Sequence, residues 1–270
     1  MAGPAMRFGD VEINVLQDGR GRLPREILFS DVPAGELEPA LGAEYPADFP
    51  YNCLLIRRRG SSVLVDTGLG AARHPLGGEG GRLWDELAAV GQRPEDVGVV
   101  VISHGHPDHI GGLVQDGTPA FHRARYVASS ADWQLWTSED ALEQMPEPAA
   151  AAARAQLPPL EAAGILDRVD GEHKVASGVR VLPAPGHTPG QLAVEVEGAL
   201  LYTVDALLHP LHVERPDVGR GTDADPERAI ATRRALLERA SEGGLVVGAS
   251  HMDMLFRVER SGEGFRAVEP

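Results

Sequence analysis

One cysteine, Cys53, and one lysine, Lys174, stand in a chain of 270 residues. A lone thiol excludes an internal disulfide, and its place in the apolar stretch Tyr51-Asn52-Cys53-Leu54-Leu55-Ile56 reads as a packed, inert side chain inside a strand. Long apolar runs are missing too. Nowhere do about 18 apolar residues follow one another, and the segment from Met1 to Gly9 carries no basic stretch leading into an apolar one, so neither a membrane span nor a secretory leader is expected and the chain reads as soluble and cytoplasmic. Positive charge is scarce. Lys+Arg 25 against Asp+Glu 40 leaves a formal net charge of −15, which opposes binding to nucleic acid or an anionic membrane. Nor does a Ser/Gly linker or block of charge divide the chain. Residues 1–270 are therefore expected to form one domain, with 1–50 as an N-terminal strand and a candidate lid.

What the chain does contain is concentrated in Ser103-His104-Gly105-His106-Pro107-Asp108-His109, three imidazoles and a carboxylate in one short stretch directly after the apolar run at 99–102. Short, β-branched and uncharged, that run reads as a strand buried on both faces, and the pattern from His109 to Leu113 starts a helix with Pro107 near its first position. The histidines and Asp108 then occupy a strand-to-helix turn. Alternate residues (His104, His106) project differently from the adjacent pair Asp108 and His109, so the cluster suits two neighbouring ions.

Strands are expected at 11–16, 52–57, 62–66, 97–102, 125–128, 179–182, 192–196, 200–203, 246–248 and 254–259, with Arg58-Arg59-Gly60 as a hairpin turn. Helical spacing marks 81–90, where Trp84 belongs to the core, and 225–240, where Asp225 is the N-cap, Pro226 the first residue, and Ala229, Ile230, Arg233, Leu236, Leu237 and Ala240 share a largely apolar face. The Ala-rich region 131–163, broken by prolines, reads as interrupted helices. Strands, helices, strands, helix and strands in that order fit an α/β fold of two face-to-face sheets with helices outside.

Three further candidate ligands fall at strand ends. His187 sits in the turn Pro185-Gly186-His187-Thr188-Pro189-Gly190, Asp205 ends the apolar run 200–204, and His251 ends 245–250. A carboxylate at the end of an apolar strand is costly unless a cation or partner meets it. The set is then His104, His106, Asp108, His109, His187, Asp205 and His251.

In that order, with Asp66 of Val-Leu-Val-Asp66-Thr-Gly before them, these motifs resemble the metallo-β-lactamase fold superfamily over roughly residues 50–255. The resemblance implies an αββα sandwich of two mixed β-sheets with two divalent ions at the sheet edge, zinc foremost and Mn, Co, Ni or Fe also suited to His/Asp ligands. It assigns His104, His106 and His187 to the first ion, Asp108, His109 and His251 to the second, and Asp205 to both. True β-lactamases of the fold lack the bridging aspartate, and no Gly-Cys-Gly-Arg-like segment of the glyoxalase II and persulfide dioxygenase branches follows Asp205. The segment Asp205-Ala-Leu-Leu-His209-Pro and the Gly248-Ala-Ser-His251 ending resemble the subgroup of methyl parathion hydrolase and quorum-quenching lactonases, although the tyrosine that follows the aspartate in many lactonases is absent.

The implied activity is hydrolysis of a neutral small-molecule ester, a lactone or an organophosphate triester, with Asp108 and Asp205 as catalytic residues. A mononuclear-iron oxidoreductase of the persulfide dioxygenase type is the alternative, separable by metal content. Relatives of the subgroup are often dimers, so a homodimer is an expectation the resemblance brings. For the substrate pocket, Phe29, Leu208 and His209 are the candidates, beneath an apolar lid at 23–50 that also holds Leu28, Tyr45 and Phe49. Met252 and Met254 are assigned to the core. His74, His122, His173 and His212 lie outside any ligand pattern and are assigned structural or exposed positions.

Overall fold

The computed structural model describes residues 5–33, 35–36, 48–72, 74 and 77–270. Tyr45 lies outside the described residues. Two seven-stranded sheets are formed, each laid down in chain order. The first contains Met6–Phe8, Val11–Arg22, Asp48–Arg58, Ser61–Val65, Val99–Val101, Arg125–Ser129 and Leu166–Val169; the second contains His173–Ala176, Val179–Pro183, Leu192–Val196, Leu200–Tyr202, Val246–Gly248, Phe256–Ser261 and Gly264–Val268. Both are mixed. Antiparallel hairpins give way to parallel pairing between Ser61–Val65, Val99–Val101 and Arg125–Ser129, and between Leu200–Tyr202 and Val246–Gly248.

Alternation along the strands builds the layers. Leu54, Ile56, Val63, Val65, Val99 and Val101 meet Val181, Val194, Val196, Leu200, Tyr202 and Val246 in the core between the sheets. Their neighbours Cys53, Leu55, Leu64 and Val100 face the other way, against Leu83, Leu87, Trp133 and Trp136. On the far side Ala193, Leu201 and Val247 pack on Leu236, Leu237 and Ala240 of the helix Pro226–Gly243. Helix, sheet, sheet, helix is the result, and it explains why these strands read as continuous apolar runs.

Asp225 caps that last helix by accepting from Arg228 N, and Gly244 ends it at φ 56°. The expected helix beginning at His109 is instead a single turn, Pro107–Ile110. A Cβ on Gly111 would lie 1.8 Å from Leu69 O, so this glycine serves a close approach of two backbones rather than a longer helix. The strands at Met6–Phe8, Leu166–Val169, His173–Ala176 and Gly264–Val268 carry too few apolar residues to be read from pattern; they are edge or near-edge strands. Part of the expected lid is also strand, since Phe49 pairs with Gly21 in the long hairpin of Val11–Arg22 and Asp48–Arg58. Among the described residues no helix is long and apolar enough to cross a membrane.

Candidate metal centre

Parallel pairing places Asp66 beside Ser103 and brings Asp205 and His251 to the same sheet edge, because each residue follows the carboxyl end of its strand. His187 joins them from the turn between Val179–Pro183 and Leu192–Val196. All seven candidate ligands converge. His104, His106, His187 and Asp205 form one group, and Asp108, His109 and His251 another, each with ligand atoms within 4.8 Å of one another.

In the first group His106 Nδ1 lies 2.9 Å from His104 Nε2 and 3.0 Å from His187 Nε2. Three imidazole nitrogens around one point approximate the roughly 3.3 Å edge of a tetrahedron with metal–nitrogen bonds of about 2.0–2.1 Å. Asp205 stands between the groups. Its Oδ2 is 3.5 Å from His187 Nε2, 3.8 Å from His104 Nε2 and 3.0 Å from His251 Nε2, while Oδ1 is 3.4 Å from His109 Nε2. Asp108 Oδ2 is 3.4 Å from His251 Nε2 and 3.7 Å from His109 Nε2.

Second partners fix which nitrogen faces inward. His109 Nδ1 donates to Asp66 Oδ2 at 2.8 Å, and His251 Nδ1 donates to Pro50 O at 2.7 Å. Ser103 Oγ donates to Asp66 Oδ2 at 2.7 Å and lies 3.0 Å from His104 Nδ1, whose proton it accepts. One carboxylate thus holds the Nδ1 protons of two rings, directly and through Ser103, and turns Nε2 of each toward the cluster. Backbone strain marks the same place: Asp66 has φ 62° and Val204, directly before Asp205, has φ 53°, a region that a β-branched residue enters only when its surroundings enforce it.

Burial drives His104 well below the usual imidazole range, helped by His109 and His106, and takes His106 down to about 3, with His187 adding to the effect. Both rings are neutral lone-pair donors at pH 7. Burial alone would raise Asp205, but His251 and His109 outweigh it and hold the carboxyl well below its ordinary value. Burial likewise opposes a proton on His109, yet Asp205, Asp108 and Asp66 around it raise its pKa well above normal. His109 Nε2 and Asp205 Oδ1 are buried with no hydrogen-bond partner. An orphaned ring nitrogen and carboxylate oxygen, set beside three imidazole nitrogens that face one another, fit divalent ions and would otherwise be unfavourable to bury.

Residues 46–251 match the metallo-beta-lactamase superfamily. The chain belongs to that family. Among curated relatives, an N-acyl homoserine lactonase of a Bacillus species is 29% identical over 241 residues, 82% of this chain and 84% of its own length. Another, from Bacillus cereus, is 28% identical over 208 residues, 70% of this chain and 72% of its own. Of solved structures, AidC, a dizinc quorum-quenching lactonase in complex with a product, is 26% identical with a TM-score of 0.83 over 100% of this chain and 98% of that one. The hydrolase AbOPH superposes with a TM-score of 0.85 at 22% identity over 98% and 96% of the two chains, a likeness of fold.

In this member of the metallo-beta-lactamase superfamily the edge cluster opens into a cavity of about 170 Å³, walled by Leu23, Phe49, His74, Pro107, Leu208 and Thr222 besides the ligands. A second cavity of about 260 Å³ shares Leu23, Phe49, Leu208 and His251 with it and adds Leu28, His209, Met252 and Met254. Larger surface hollows of about 620 and 790 Å³ lie on hairpins that carry none of the ligand residues. Leu208 therefore faces both cavities and His209 the outer one. Phe29 lines neither: it is buried, with its ring edge-on to His209 at 5.5 Å and to His212 at 6.0 Å, so it supports the wall.

Two assignments from sequence are corrected. His74, assigned a structural or exposed position, instead lines the inner cavity with Nε2 3.5 Å from Asp108 Oδ1. Its Gly/Pro-rich loop has no periodicity to reveal this; the one clue is its closeness in sequence to Asp66-Thr67-Gly68. Met254 is 48% exposed on the outer cavity rather than in the core, whereas Met252 is buried in the core as expected and also lines that cavity. Phe49, expected only in a lid, stacks on His251 at 3.7 Å between ring centroids.

His212 is structural, and it gives a pH dependence. Fully buried, it accepts Leu208 N–H on Nδ1 at 3.1 Å, and burial holds its pKa well below 6.5, with Arg233 contributing. The unfolded chain takes a proton near 6.5 while the folded chain does not, so stability present above that pH is lost as pH falls below it. His209, lowered to about 4 by burial, acts in the same sense between roughly 6.5 and 4. Urea unfolding at pH 7.5 and 5 is expected to show up to about 1.4 kcal/mol lost per pH unit per buried histidine. His212→Asn, which retains an acceptor near Nδ1 without titrating there, should flatten that slope; an unchanged slope would contradict the assignment.

Proposed function

We propose that the protein is a dinuclear metal-dependent hydrolase of neutral esters, with lactones as its natural substrates and aryl esters and organophosphate triesters as further ones. The observation that carries this reading is a complete pair of His/Asp clusters sharing Asp205, set beneath cavities whose described walls hold no lysine or arginine. An anionic substrate would find no cationic side chain there, whereas a neutral ester with an apolar substituent meets Leu23, Phe49 and Leu208. The lactonases among the relatives support the choice of a lactone.

His104, His106 and His187 would hold the first ion, Asp108, His109 and His251 the second, and Asp205 both; zinc suits the donor set, as do Mn, Co, Ni and Fe. When bound, the ions supply Lewis acidity and water activated at neutral pH. The protein's own groups do the rest. Asp108 lies at the floor of the cavity with Oδ1 toward His74 and Oδ2 toward His109 and His251, placed to orient the attacking water and pass its proton to the leaving alkoxide. His74 steadies Asp108 from the cavity side. In the outer cavity His209 is neutral and accepts Leu211 N–H on Nδ1 at 3.1 Å, so its Nε2 carries the proton and serves as a hydrogen-bond donor on that wall.

Elemental analysis of the purified protein, with parallel assays on an acyl lactone, an aryl ester and an aryl dialkyl phosphate, tests the reading. About two ions per chain and metal-dependent turnover of the lactone are expected. One iron per chain with no hydrolysis would replace it with the oxidoreductase alternative, which the complete second cluster already disfavours.

A further inference from the structure

His187 presents Nε2 to the first cluster, which turns its Nδ1 toward the protein. Facing that nitrogen at 3.5 Å is Asp223 Oδ1. Both atoms are buried and neither has a hydrogen-bond partner. The other oxygen of Asp223 accepts from Arg233 Nη2 at 2.7 Å, and both of these side chains are 0% exposed. Arg233 is the largest side chain in the fully buried interior, and its position is fixed by five contacts. Nε donates to Ala206 O at 2.8 Å, Nη1 to Pro216 O and Val218 O at 3.4 and 3.3 Å, and Nη2 to Gly219 O at 3.5 Å as well as to Asp223.

Ala206 directly follows Asp205. The two ends of one guanidinium therefore reach the backbone next to the shared carboxylate and the carboxylate next to His187. Backbone contacts hold the same pieces together: Asp225 N donates to Gly186 O at 2.8 Å and Ala224 N to His187 O at 3.2 Å. A Cβ on Gly186, at φ 137°, would come within 2.3 Å of the Ala229 backbone, so the start of the last helix presses directly on the His187 turn.

Resting on the dinuclear reading above, we infer that Asp223 and Arg233 are positioning residues of the metal centre: Asp223 holds the proton of His187 on Nδ1 so that Nε2 is bare, and Arg233 fixes the spacing of His187 from Asp205. A carboxylate can only accept, so it selects one tautomer of the ring facing it. A buried guanidinium whose donors all end on one ligand-bearing layer is suited to a fixed spacer rather than to a mobile charge.

Asp223→Asn tests this directly. An asparagine that accepts from Arg233 turns its NH₂ toward His187, which favours the opposite tautomer, with the proton on Nε2 where a metal would bind. Zinc affinity, measured by competition with a chromophoric chelator, is expected to fall about 10–100-fold at one of two sites. Arg233→Lys, which keeps the charge but cannot span both contacts, should weaken the same site. In wild-type metal-free protein, long-range proton–nitrogen NMR should show His187 protonated on Nδ1. Unchanged zinc affinity in Asp223→Asn, or His187 protonated on Nε2 in the wild type, would overturn the inference, and the wild-type spectrum decides if the variant does not fold. A wild-type protein that binds two ions and hydrolyses lactones while Asp223→Asn loads normally leaves the function intact and removes only this role; a wild type that binds no pair of ions removes both.

Discussion

Asp205→Ala is expected to lower lactone turnover by at least about a thousand-fold and to leave no more than one tightly bound ion per chain. Among the described residues Asp205 is the one group whose oxygens face both clusters, with Oδ2 within 3.0–3.8 Å of three imidazole nitrogens and Oδ1 3.4 Å from a fourth. On the proposed dinuclear reading its removal would take one donor from each ion at once. Alanine also leaves His109 with only Asp108 and Asp66 to counter its charge. Val204 should keep its positive φ in the variant, because the backbone bonds Thr203 N to Gly248 O and Ala206 N to Thr203 O do not involve the lost side chain. The fold is thus expected to survive while the chemistry fails. Metal content by elemental analysis, read beside turnover, checks the prediction; two retained ions with near-normal turnover would refute the bridging role.

How much of the molecule is legible in its sequence depends on the kind of signal. The metal cluster is legible because chemistry restricts the residue types: histidines and an aspartate at the ends of apolar strands are costly to bury unless a cation meets them, and all seven named positions meet at one edge. The sandwich is legible because strands buried on both faces leave uninterrupted runs such as Val99-Val100-Val101-Ile102. Edge strands, with exposed or charged residues at alternate positions, leave no such trace; Leu-Asp-Arg-Val at 166–169 looks like any loop.

The residues around the ligands are harder to read. Arg233 stands out as the one charged residue on an otherwise apolar helical face, beside Ala229, Leu236, Leu237 and Ala240. An arginine in that position signals a buried partner, and the partner, Asp223, lies ten residues earlier in a loop that periodicity does not describe. His74 and Thr222 reach the cavity for the same reason, by tertiary placement of irregular segments. Asp132 shows it again: a residue inside a short helix accepts from Thr188 Oγ1 at 3.0 Å and Gly190 N at 2.7 Å, tying down the His187 turn from the opposite side. Sequence pattern identifies the groups that do chemistry; the groups that aim them are distributed wherever the chain happens to pass.

Removal of the metals should have the second large effect, on stability rather than on fold. Asp66, Asp108 and Asp205 surround His109, and their combined pull raises its pKa well above normal despite burial. The pocket is therefore built for positive charge. Ions that bind the folded chain alone stabilise it by mass action, about 4 kcal/mol when their free concentration is a thousand times the dissociation constant. For a chain of this size a shift of roughly 2–4 °C accompanies each kcal/mol, so dialysis against a strong chelator is expected to lower the melting temperature by roughly 10 °C. The core between the sheets contains none of the ligands, so secondary structure should persist in the stripped protein. Circular dichroism before and after chelation, with zinc added back, makes the measurement. Restored melting temperature and turnover together are the expected result, whereas a melting temperature that ignores both chelator and zinc would mean that the clusters hold no ion at all.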